Sequence, residues 1–475
     1  MGYVFFDTET TGLAEGFDQI VQFAAIRTDN DLNEVERLNL RARLQPHVVP
    51  HPLALRANGL TIEMLTDRGL PSHYTMICEV RRRLLEWSPA IFAGFNSIGF
   101  DEKMLRHALF QSLHPAYLTS NHGNGRGDAF GLVQAACALT PGCLAIPRKP
   151  DGQPTFKLDA LAPANGVSHA GAHDAMADAA ATVDLCRLVM ERSPDAWQRF
   201  VRLSNKAAVA ELVDGEDAFI LTEFFGGEPY HKPVACIGQD RFPNGRFCLD
   251  LSIDPTSWAG LSDEDLRSAL ARKGSPLRRV RVNAAPTLTR MYEAETHLLE
   301  NVDPSQVEER GRRLKADPAL CSRLIAAYTA SWEDPVPSPH PELCLISGGF
   351  PSSGDEARSI AFHDAGQRER AEIVGLFDDP RLKAFGQRLV YYEHRPALPE
   401  AQRIGADLWL AERLLVDCNG PLTLSQARDI TDAILVDEIG DPIGNLASYR
   451  AYLIQRIAAA EAFRRQHRRA PSQAS

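Results

Sequence analysis

The chain has 475 residues, 44% hydrophobic and 24% charged, with a formal net charge of −11. This composition is typical of an ordinary globular protein, and the length predicts two or three domains. Nine cysteines without a Cys-x2-Cys pair argue against zinc ribbons and disulfides and favour reduced thiols in the cytoplasm. The direct start into an apolar strand leads us to expect no signal peptide, and no apolar run is long enough to cross a membrane.

The first predicted strand presents two acidic residues on one face. The apolar run at residues 3–6 predicts a short buried strand that leads into Asp7 and Glu9. Because residues two apart on a strand point to the same side, the two carboxylates lie next to each other. Like charges this close are costly unless a cation neutralises them, so the pair is a candidate metal site.

The rest of segment 1–192 alternates strand-like and helix-like runs, which predicts a mixed sheet flanked by helices. A short buried strand at 90–94 leads to Asn96 and Asp101. The polar stretch 119–127 predicts a flexible loop, and 146–155, with three prolines, predicts a loop over the site entrance. The other predicted elements are a strand at 21–28 and helices at 74–86 and 102–110.

A histidine and an acid form the last block of this segment. A glycine-containing loop precedes an alanine-rich run at 175–181, which predicts a helix with His173 at its start and Asp178 about one turn inside. His173 is a candidate general base, because an unperturbed imidazole titrates near neutral pH. His169 is a second candidate, and each histidine alone is more commonly a polar loop residue.

The four carboxylates of Asp7, Glu9, Asp101 and Asp178 suit an all-oxygen site for Mg²⁺ or Mn²⁺. Two cations about 3.5–4 Å apart can activate a water and hold the leaving oxygen of a displacement. Taken singly, Asp7 could be a turn residue and Asp101 a helix cap. Their occurrence in order, as D-x-E, N-x3-F-D and H-x4-D, favours metal-dependent phosphodiester hydrolysis, with Asp7 bridging both ions.

Two further segments follow. The segment at about 194–347 begins with a helical run, and short strand-like pieces at 218–225, 234–237, 246–251 and 279–282 then predict a small β barrel. The segment at about 348–475 carries long helical patterns, as at 429–435 and 446–469. The basic run 464–469 is expected to be a solvated helix end.

The middle segment interleaves aromatic residues with cations, a composition that suits stacking of single-stranded bases. We expect most of these aromatic residues to belong to the barrel core instead. Arg278, Arg279 and Arg281 lie on a predicted strand, of which one face is expected to be basic. The aromatic and basic residues concerned are Phe219, Phe224, Phe225, Tyr230, Phe242, Phe247, Lys232, Arg241 and Arg246.

The three acidic blocks are similar to the motifs of the DEDDh exonucleases, within the ribonuclease H-like superfamily. Longer stretches, VQFAAIRTD, PTFKLDALAPANGVSHAGAHDAMADAAATVDLCRLV and GGFPSSGDEAR, resemble the bacterial exodeoxyribonuclease I family. The resemblance implies an α/β ribonuclease H-like exonuclease domain at 1–192, an SH3-like β-barrel domain at 194–347 and a helical C-terminal domain at 348–475. It also implies that the four acids bind two Mg²⁺ ions, which Mn²⁺ can replace, and that His173 is the general base.

The same resemblance implies a 3′→5′ exodeoxyribonuclease that degrades single-stranded DNA to nucleoside 5′-monophosphates in DNA repair and recombination. A ring-like clamp of the three domains around the strand would explain processivity. The implied partners are single-stranded DNA and the C-terminal tail of single-stranded-DNA-binding protein, with the enzyme a cytoplasmic monomer. The alternatives are a 3′→5′ exoribonuclease or proofreading relative, and a non-catalytic single-strand clamp.

Four residues are candidates for substrate binding. Glu9 and Lys157 follow from the resemblance, although the better-known relative carries arginine at the position of Lys157, and lysine lacks the bidentate geometry of arginine. Arg106, five residues after Asp101 on a predicted helix, is a candidate for phosphate contact. The resemblance implies that Leu13 wedges against the terminal base, as the corresponding position does in DEDDh relatives; the alternative is a leucine packed in the core. The loop 119–135 has small residues where relatives carry aromatic and basic ones, so its grip on substrate is expected to differ.

Overall fold

The structure is a computed structural model that describes residues 2–169, 171, 173–299, 303–334, 336–437 and 445–468. Two five-stranded sheets organise the first two thirds of the chain, and helices form the remainder. None of the helices in these ranges is long and apolar enough to span a membrane.

The first sheet has the strand order β3-β2-β1-β4-β5. Strand β1 pairs antiparallel with β2 and parallel with β4, so the site-bearing strand lies at the centre of the sheet. Its first four residues are buried because helices cover both faces. The strands are β1 (Tyr3–Thr10), β2 (Ile20–Thr28), β3 (Glu34–Arg41), β4 (Ile91–Ala93) and β5 (Gly125–Arg126).

Two apolar cores lie on opposite faces of this sheet. On one face Phe5 packs with α5 and α7, and on the other Phe6 packs with α3 and α4. The alternation of Phe5 and Phe6 between two cores is what a central strand requires. The helices are α1 (Pro52–Asn58), α2 (Ile62–Leu65), α3 (His73–Glu86), α4 (Asp101–Gln111), α5 (Ala129–Leu139), α6 (Leu158–Ala164) and α7 (Ala175–Arg192).

The middle part of the chain forms an antiparallel sheet of order β10-β6-β7-β8-β9. Its core joins Ile220, Phe247 and Leu249 to residues of the four helices that follow α9. The strands are β6 (Phe219–Phe225), β7 (Glu228–Gln239), β8 (Gly245–Asp250), β9 (Leu277–Arg281) and β10 (Leu288–Arg290). The helices are α8 (Pro194–Leu203), α9 (Lys206–Gly215), α10 (Thr256–Ala259), α11 (Asp263–Leu270), α12 (Pro304–Lys315) and α13 (Pro318–Thr329).

The C-terminal part is helical, as predicted, and shares its cores with the first sheet unit. Phe110 of α4 packs with Phe385, and Val21 of β2 lies in one cluster with Tyr449. The helices are α14 (Ser353–Asp364), α15 (Gln367–Leu376), α16 (Pro380–Glu393), α17 (Glu400–Leu415), α18 (Leu424–Asp437) and α19 (Asn445–Arg468). The end of the basic run 464–469 lies outside the described residues.

The polar stretch 119–127 differs from its prediction as a flexible loop. Gly125 and Arg126 form β5, which pairs parallel with β4. The Asn124 side chain fixes the preceding turn through Ala90 N–H and the carbonyl of Leu118. A Cβ at Gly127 would lie 2.3 Å from the Phe200 ring, so glycine permits the close approach of α8. The glycines therefore serve packing here rather than mobility.

The expectation that the middle aromatic residues are mostly core is only partly confirmed. Phe219 and Phe247 are buried, whereas Phe225, Tyr230 and Phe242 are 51%, 48% and 42% exposed. The first two of the exposed rings lie at the β6–β7 turn, beyond the helices that cover the sheet. The neighbouring cations are mostly paired: Lys232 with Asp250, Arg241 with Asp334, Arg246 with Asp214, Arg278 with Glu223 and Arg279 with Asp240.

Candidate active site

Three of the four predicted acids converge at the end of β1. Asp7, Glu9 and Asp178 each offer a carboxylate oxygen, and these oxygens lie within 4.8 Å of one another. The two-residue periodicity of β1 puts Asp7 and Glu9 on one face, and α7 packs across β1 and β2 on that face. The strand and the helix thereby bring residues 171 positions apart in the chain, Asp7 and Asp178, into one cluster.

The start of α7 is held in place by Asp174. Its side chain caps the helix by accepting from Met176 N–H and Ala177 N–H. The other carboxylate oxygen accepts from Gln22 Nε2 at 3.0 Å and Arg41 Nη2 at 2.9 Å. The cap therefore ties the helix end to β2 and β3, and it sets the position of Asp178 one turn later.

Asp101 lies at the first position of α4, next to the cluster of three. Its Oδ1 accepts from Thr8 N–H at 3.1 Å and from the Thr8 hydroxyl at 2.6 Å. The turn before it depends on Asn96, which has a positive φ of 62° that asparagine tolerates. Asp128 accepts from Asn96 N–H and Ile98 N–H, which fixes this turn against α5.

The carboxylates of Asp7, Glu9 and Asp101 hold protons more tightly than usual. Burial, and then the charges of Asp101, Asp178 and Glu9, raise the pKa of Asp7 well above its ordinary value. Burial, followed by Asp178, Asp101 and Asp174, raises the pKa of Glu9 to about 8. Burial raises the pKa of Asp101 to about 7 although Thr8 opposes the shift. A dication would reverse these shifts, because it stabilises the ionised form of every carboxylate.

This donor set fits divalent cations. Three carboxylate oxygens within 4.8 Å, beside a fourth buried carboxylate, form an oxygen-rich and electronegative site. Hard dications prefer such ligands. Burial, and then mutual repulsion, raise the pKa of Asp7 and Glu9, and a bound cation offsets the cost of ionising both carboxylates. A divalent metal ion is therefore the cofactor of this site.

The two histidines of the loop before α7 occupy different positions. His169 has a side chain only 3% exposed, and its Nε2–H donates to Asp178 Oδ1 at 2.6 Å. His173 is exposed, with a positive φ of 67°, and makes no hydrogen bond to the described residues. His173 stands directly before the helix and Asp178 in its first turn, as the pattern predicts. The direct contact of His169 with an acid of the site was not predicted.

The other candidate residues have distinct surroundings. Leu13 is 82% exposed, on a loop that Asp18 braces by accepting from Ala14 N–H and the Thr11 hydroxyl. Lys157 is exposed at the start of α6. Arg106, by contrast, has an internal partner in Glu102 at 2.7 Å, so its predicted phosphate contact would compete with an ion pair.

Sequence reasoning missed several residues that position the site. Thr8 and Asp174 hold Asp101 and α7, while Asp128 holds the turn at Asn96. A signal existed for Asp174 and Asp128, because each aspartate precedes an apolar helical run as an N-cap does. Thr8 carried no such signal, since its partner lies 93 residues away.

Comparison with known protein families shows an exonuclease match in the first part of the chain. Residues 4–186 match the RNase_T family model, described as Exonuclease. This range contains α4, β1 from its second residue onward, the larger part of α7 and all five predicted catalytic residues. The first part of the chain is thus an exonuclease domain, with a ribonuclease H-like α/β fold.

The remainder of the chain extends this likeness. The chain is 26% identical over 403 residues to exodeoxyribonuclease I of Escherichia coli, covering 80% of this chain and 83% of that protein. A moderately thermophilic exonuclease I from Methylocaldum szegediense superposes with a TM-score of 0.83 at 26% identity, over 96% and 99% of the two chains. Escherichia coli exonuclease I in complex with a dA16 oligonucleotide shares the fold, with a TM-score of 0.81 at 23% identity and 97% and 99% coverage. Over most of its length the chain is therefore similar to bacterial exodeoxyribonuclease I, as its motifs predict.

Proposed function

We propose that this protein is a 3′→5′ exodeoxyribonuclease that degrades single-stranded DNA to nucleoside 5′-monophosphates. The convergence of the Asp7, Glu9 and Asp178 carboxylates within 4.8 Å carries the proposal. The match to a protein named exodeoxyribonuclease I over 80% of the chain supports DNA as the substrate. A neighbouring fold solved with a dA16 oligonucleotide supports a single strand as the bound form.

Asp7, Glu9, Asp101 and Asp178 would hold two Mg²⁺ ions, which Mn²⁺ can replace. When bound, these ions make a water more acidic and stabilise the charge of the leaving oxygen. Asp7 would contribute to holding both ions, since it is buried and lies within the field of the other three carboxylates. Glu9 is also proposed to contact the terminal nucleotide.

His173 is the proposed general base, and its imidazole nitrogen accepts the proton of the attacking water. Its exposure supports access to a water above the carboxylates. His169 already donates its Nε2–H to Asp178, and we assign it to orienting that acid. The two roles predict different consequences for the two alanine variants.

The substrate end is placed by residues around the site. The exposed Leu13, on its braced loop, would wedge against the terminal base, while Lys157 at the start of α6 would contact a phosphate. Leu13 also borders a cavity of about 930 Å³ whose far side is formed by Leu422 and Ile430 of the C-terminal part. A strand leaving the site through this cavity would pass between two parts of the chain.

The larger organisation follows the same proposal. The antiparallel sheet of β6–β10 would be an SH3-like barrel, and the parts 1–192, 194–347 and 348–475 would be the domains of a clamp. Contacts of Phe156 with Phe224, and of Pro154 with Gly227, join the first two parts near the loop 146–155. We further propose a monomer that acts in DNA repair and recombination and binds the tail of single-stranded-DNA-binding protein.

A digestion of end-labelled oligonucleotides tests the function. Single-stranded DNA labelled at the 3′ or the 5′ end is incubated with wild type, with Mg²⁺ or with EDTA. Immediate release of the 3′ label as mononucleotide, only with Mg²⁺, is expected. Release from RNA alone would instead identify the exoribonuclease relative, and binding without cleavage would identify a non-catalytic clamp.

The same digestion separates the two histidines. We expect His173→Ala to lower kcat roughly 100-fold or more, as loss of a general base does, with strand binding retained. His169→Ala removes an orienting hydrogen bond and is expected to cost less, with a higher Mg²⁺ requirement. A larger loss of kcat in His169→Ala, with a changed pH–rate profile, would reassign the base to His169.

A further inference from the structure

A second group of metal-ligating side chains lies away from the carboxylate site. Cys78 of α3, His114 in the turn after α4 and His363 of α14 each offer one ligand atom, all within 4.8 Å of one another. Cys78 Sγ lies 3.3 Å from His114 Nε2. The three residues come from the first and the last parts of the chain, so the cluster sits where α14 packs against α3 and α4.

The hydrogen bonds of His363 put the proton on one ring nitrogen and leave the other, Nδ1, as a possible metal ligand. The Leu113 carbonyl lies 3.2 Å from His363 Nε2, and a carbonyl only accepts, so Nε2 carries the proton. Nδ1 is then the basic nitrogen, and the Tyr74 hydroxyl donates to it at 2.8 Å. A histidine that donates one N–H to a backbone carbonyl and offers its other nitrogen is the usual arrangement at protein metal sites.

We propose that Cys78, His114 and His363 form a second metal site, for a thiophilic dication of the zinc class, that fastens α14 to the exonuclease domain. One sulfur and two imidazole nitrogens are ligands that Zn²⁺ accepts and Mg²⁺ does not. The all-oxygen cluster of Asp7, Glu9 and Asp178 has the opposite preference, so the two sites select different ions.

Binding of such an ion would change the protonation of the cluster. Burial lowers the pKa of His114 to about 2 and that of His363 to about 4, so both rings are neutral at physiological pH. Burial raises the pKa of the Cys78 thiol, so in the absence of an ion that group carries its proton. Binding would therefore form one sulfur–metal and two nitrogen–metal bonds and release one proton from Cys78.

Binding would also rearrange two contacts. The rings of His114 and His363 are stacked with centroids 3.9 Å apart. Two imidazole rings bound to one tetrahedral ion point away from each other, so the rings of His114 and His363 would separate from their stacked arrangement. The Tyr74 hydroxyl would also leave His363 Nδ1, which would then bind the ion. His114 and His363 also line a cavity of about 420 Å³, which gives a water access to the fourth coordination position.

Cobalt provides the test, because thiolate ligation gives Co²⁺ a charge-transfer absorption that oxygen ligands do not. The full-length protein is freed of metal with chelator, saturated with Mg²⁺ to occupy the carboxylate site, and titrated with Co²⁺. We expect one equivalent to produce the thiolate band and Zn²⁺ to abolish it. Zn²⁺ should also raise the melting temperature in the presence of Mg²⁺.

Three variants make the test specific. Cys78→Ser and His363→Gln should lose the cobalt band and the Zn²⁺-dependent rise in melting temperature while keeping Mg²⁺-dependent cleavage. Cys137→Ser, a variant of another half-buried cysteine, should keep the cobalt band and the Zn²⁺-dependent rise in melting temperature. A band that persists in Cys78→Ser, or no band in wild type, would overturn the proposal. If Cys78→Ser fails to fold, the His363→Gln result and the wild-type titration decide.

Discussion

Protons and metal ions compete for the same carboxylates in this site, which couples stability to pH. The pKa of Glu9 is raised from its ordinary 4.5 to about 8. A raised pKa means that the folded state binds the proton more tightly than the unfolded state. The stabilisation is therefore present in acid and is lost as the pH rises through this window.

In EDTA we expect the free energy of unfolding to fall as the pH rises from about 5 to about 8. The slope is about 1.4 kcal/mol per pH unit for each carboxyl that keeps its proton only in the folded state. Mg²⁺ should remove this loss. Urea unfolding of wild type and of Glu9→Gln at several pH values tests the prediction. The free energy of unfolding of Glu9→Gln should depend less on pH. Equal slopes for both proteins would contradict it.

Thr8 is a positioning residue for Asp101. Its hydroxyl donates to Oδ1 at 2.6 Å, and valine keeps the shape while removing the donor. A hydrogen bond to an ionised group contributes about 1.5–3 kcal/mol, so Thr8→Val should lower kcat roughly 10- to 100-fold and raise the Mg²⁺ requirement. Steady-state kinetics over a range of Mg²⁺ concentrations measures both effects.

Thr28→Val is the matched control for this prediction. Thr28 is a buried threonine of β2 whose hydroxyl has no hydrogen-bond partner among the described residues. Its variant should keep wild-type kinetics. If both variants slowed the reaction equally, the effect of Thr8→Val would reflect packing rather than the bond to Asp101.

At the scale of elements, the N-terminus of α7 links fold stability to the site. Asp174→Ala removes the helix cap and the contacts to Gln22 and Arg41. Loss of a cap costs about 1 kcal/mol, and displacement of Asp178 should lower kcat roughly 10-fold or more. Asp303→Ala, which uncaps α12 far from the site, should cost similar stability without loss of activity. Thermal unfolding and initial rates distinguish the two.

The elements around the site were largely predictable, because local patterns specify them. The two-residue period of β1 places Asp7 and Glu9, and the alanine-rich run specifies the α7 that carries Asp178. Individual side-chain bonds were not predictable, because neither the conformation of the loop that holds His169 near Asp178 nor the long-range contact of Thr8 with Asp101 follows from a local pattern. The order of 119–127 was also missed, since polar and glycine residues predict a loop until packing against Phe200 is known.

At the scale of the whole molecule, a buried charge cluster joins the C-terminal helices to the site loop. Glu342 is fully buried and pairs with Arg388 of α16 at 2.7 Å and Arg413 of α17 at 2.9 Å. The Arg413 guanidinium also lies 5.7 Å from the Phe17 ring centre. A Cβ at Gly16 would lie 2.9 Å from the Glu342 carbonyl oxygen. The loop that presents Leu13 thus rests on this cluster.

The proposed clamp therefore depends on Glu342. Glu342→Gln leaves two arginines without their anionic partner, a change that typically costs about 3–5 kcal/mol of stability. We expect the number of nucleotides removed per binding event to fall, with the rate of single cleavages nearly unchanged, because the carboxylate site is untouched. Asp240→Asn is the control, since it breaks the ion pair between the buried Asp240 carboxylate and the partly exposed Arg279 in the middle sheet. This variant should lose stability and keep processivity.

A challenge with excess unlabelled DNA after binding measures the processivity of each variant. Equal losses of processivity in both variants would show that general destabilisation, not the junction at Glu342, limits processivity.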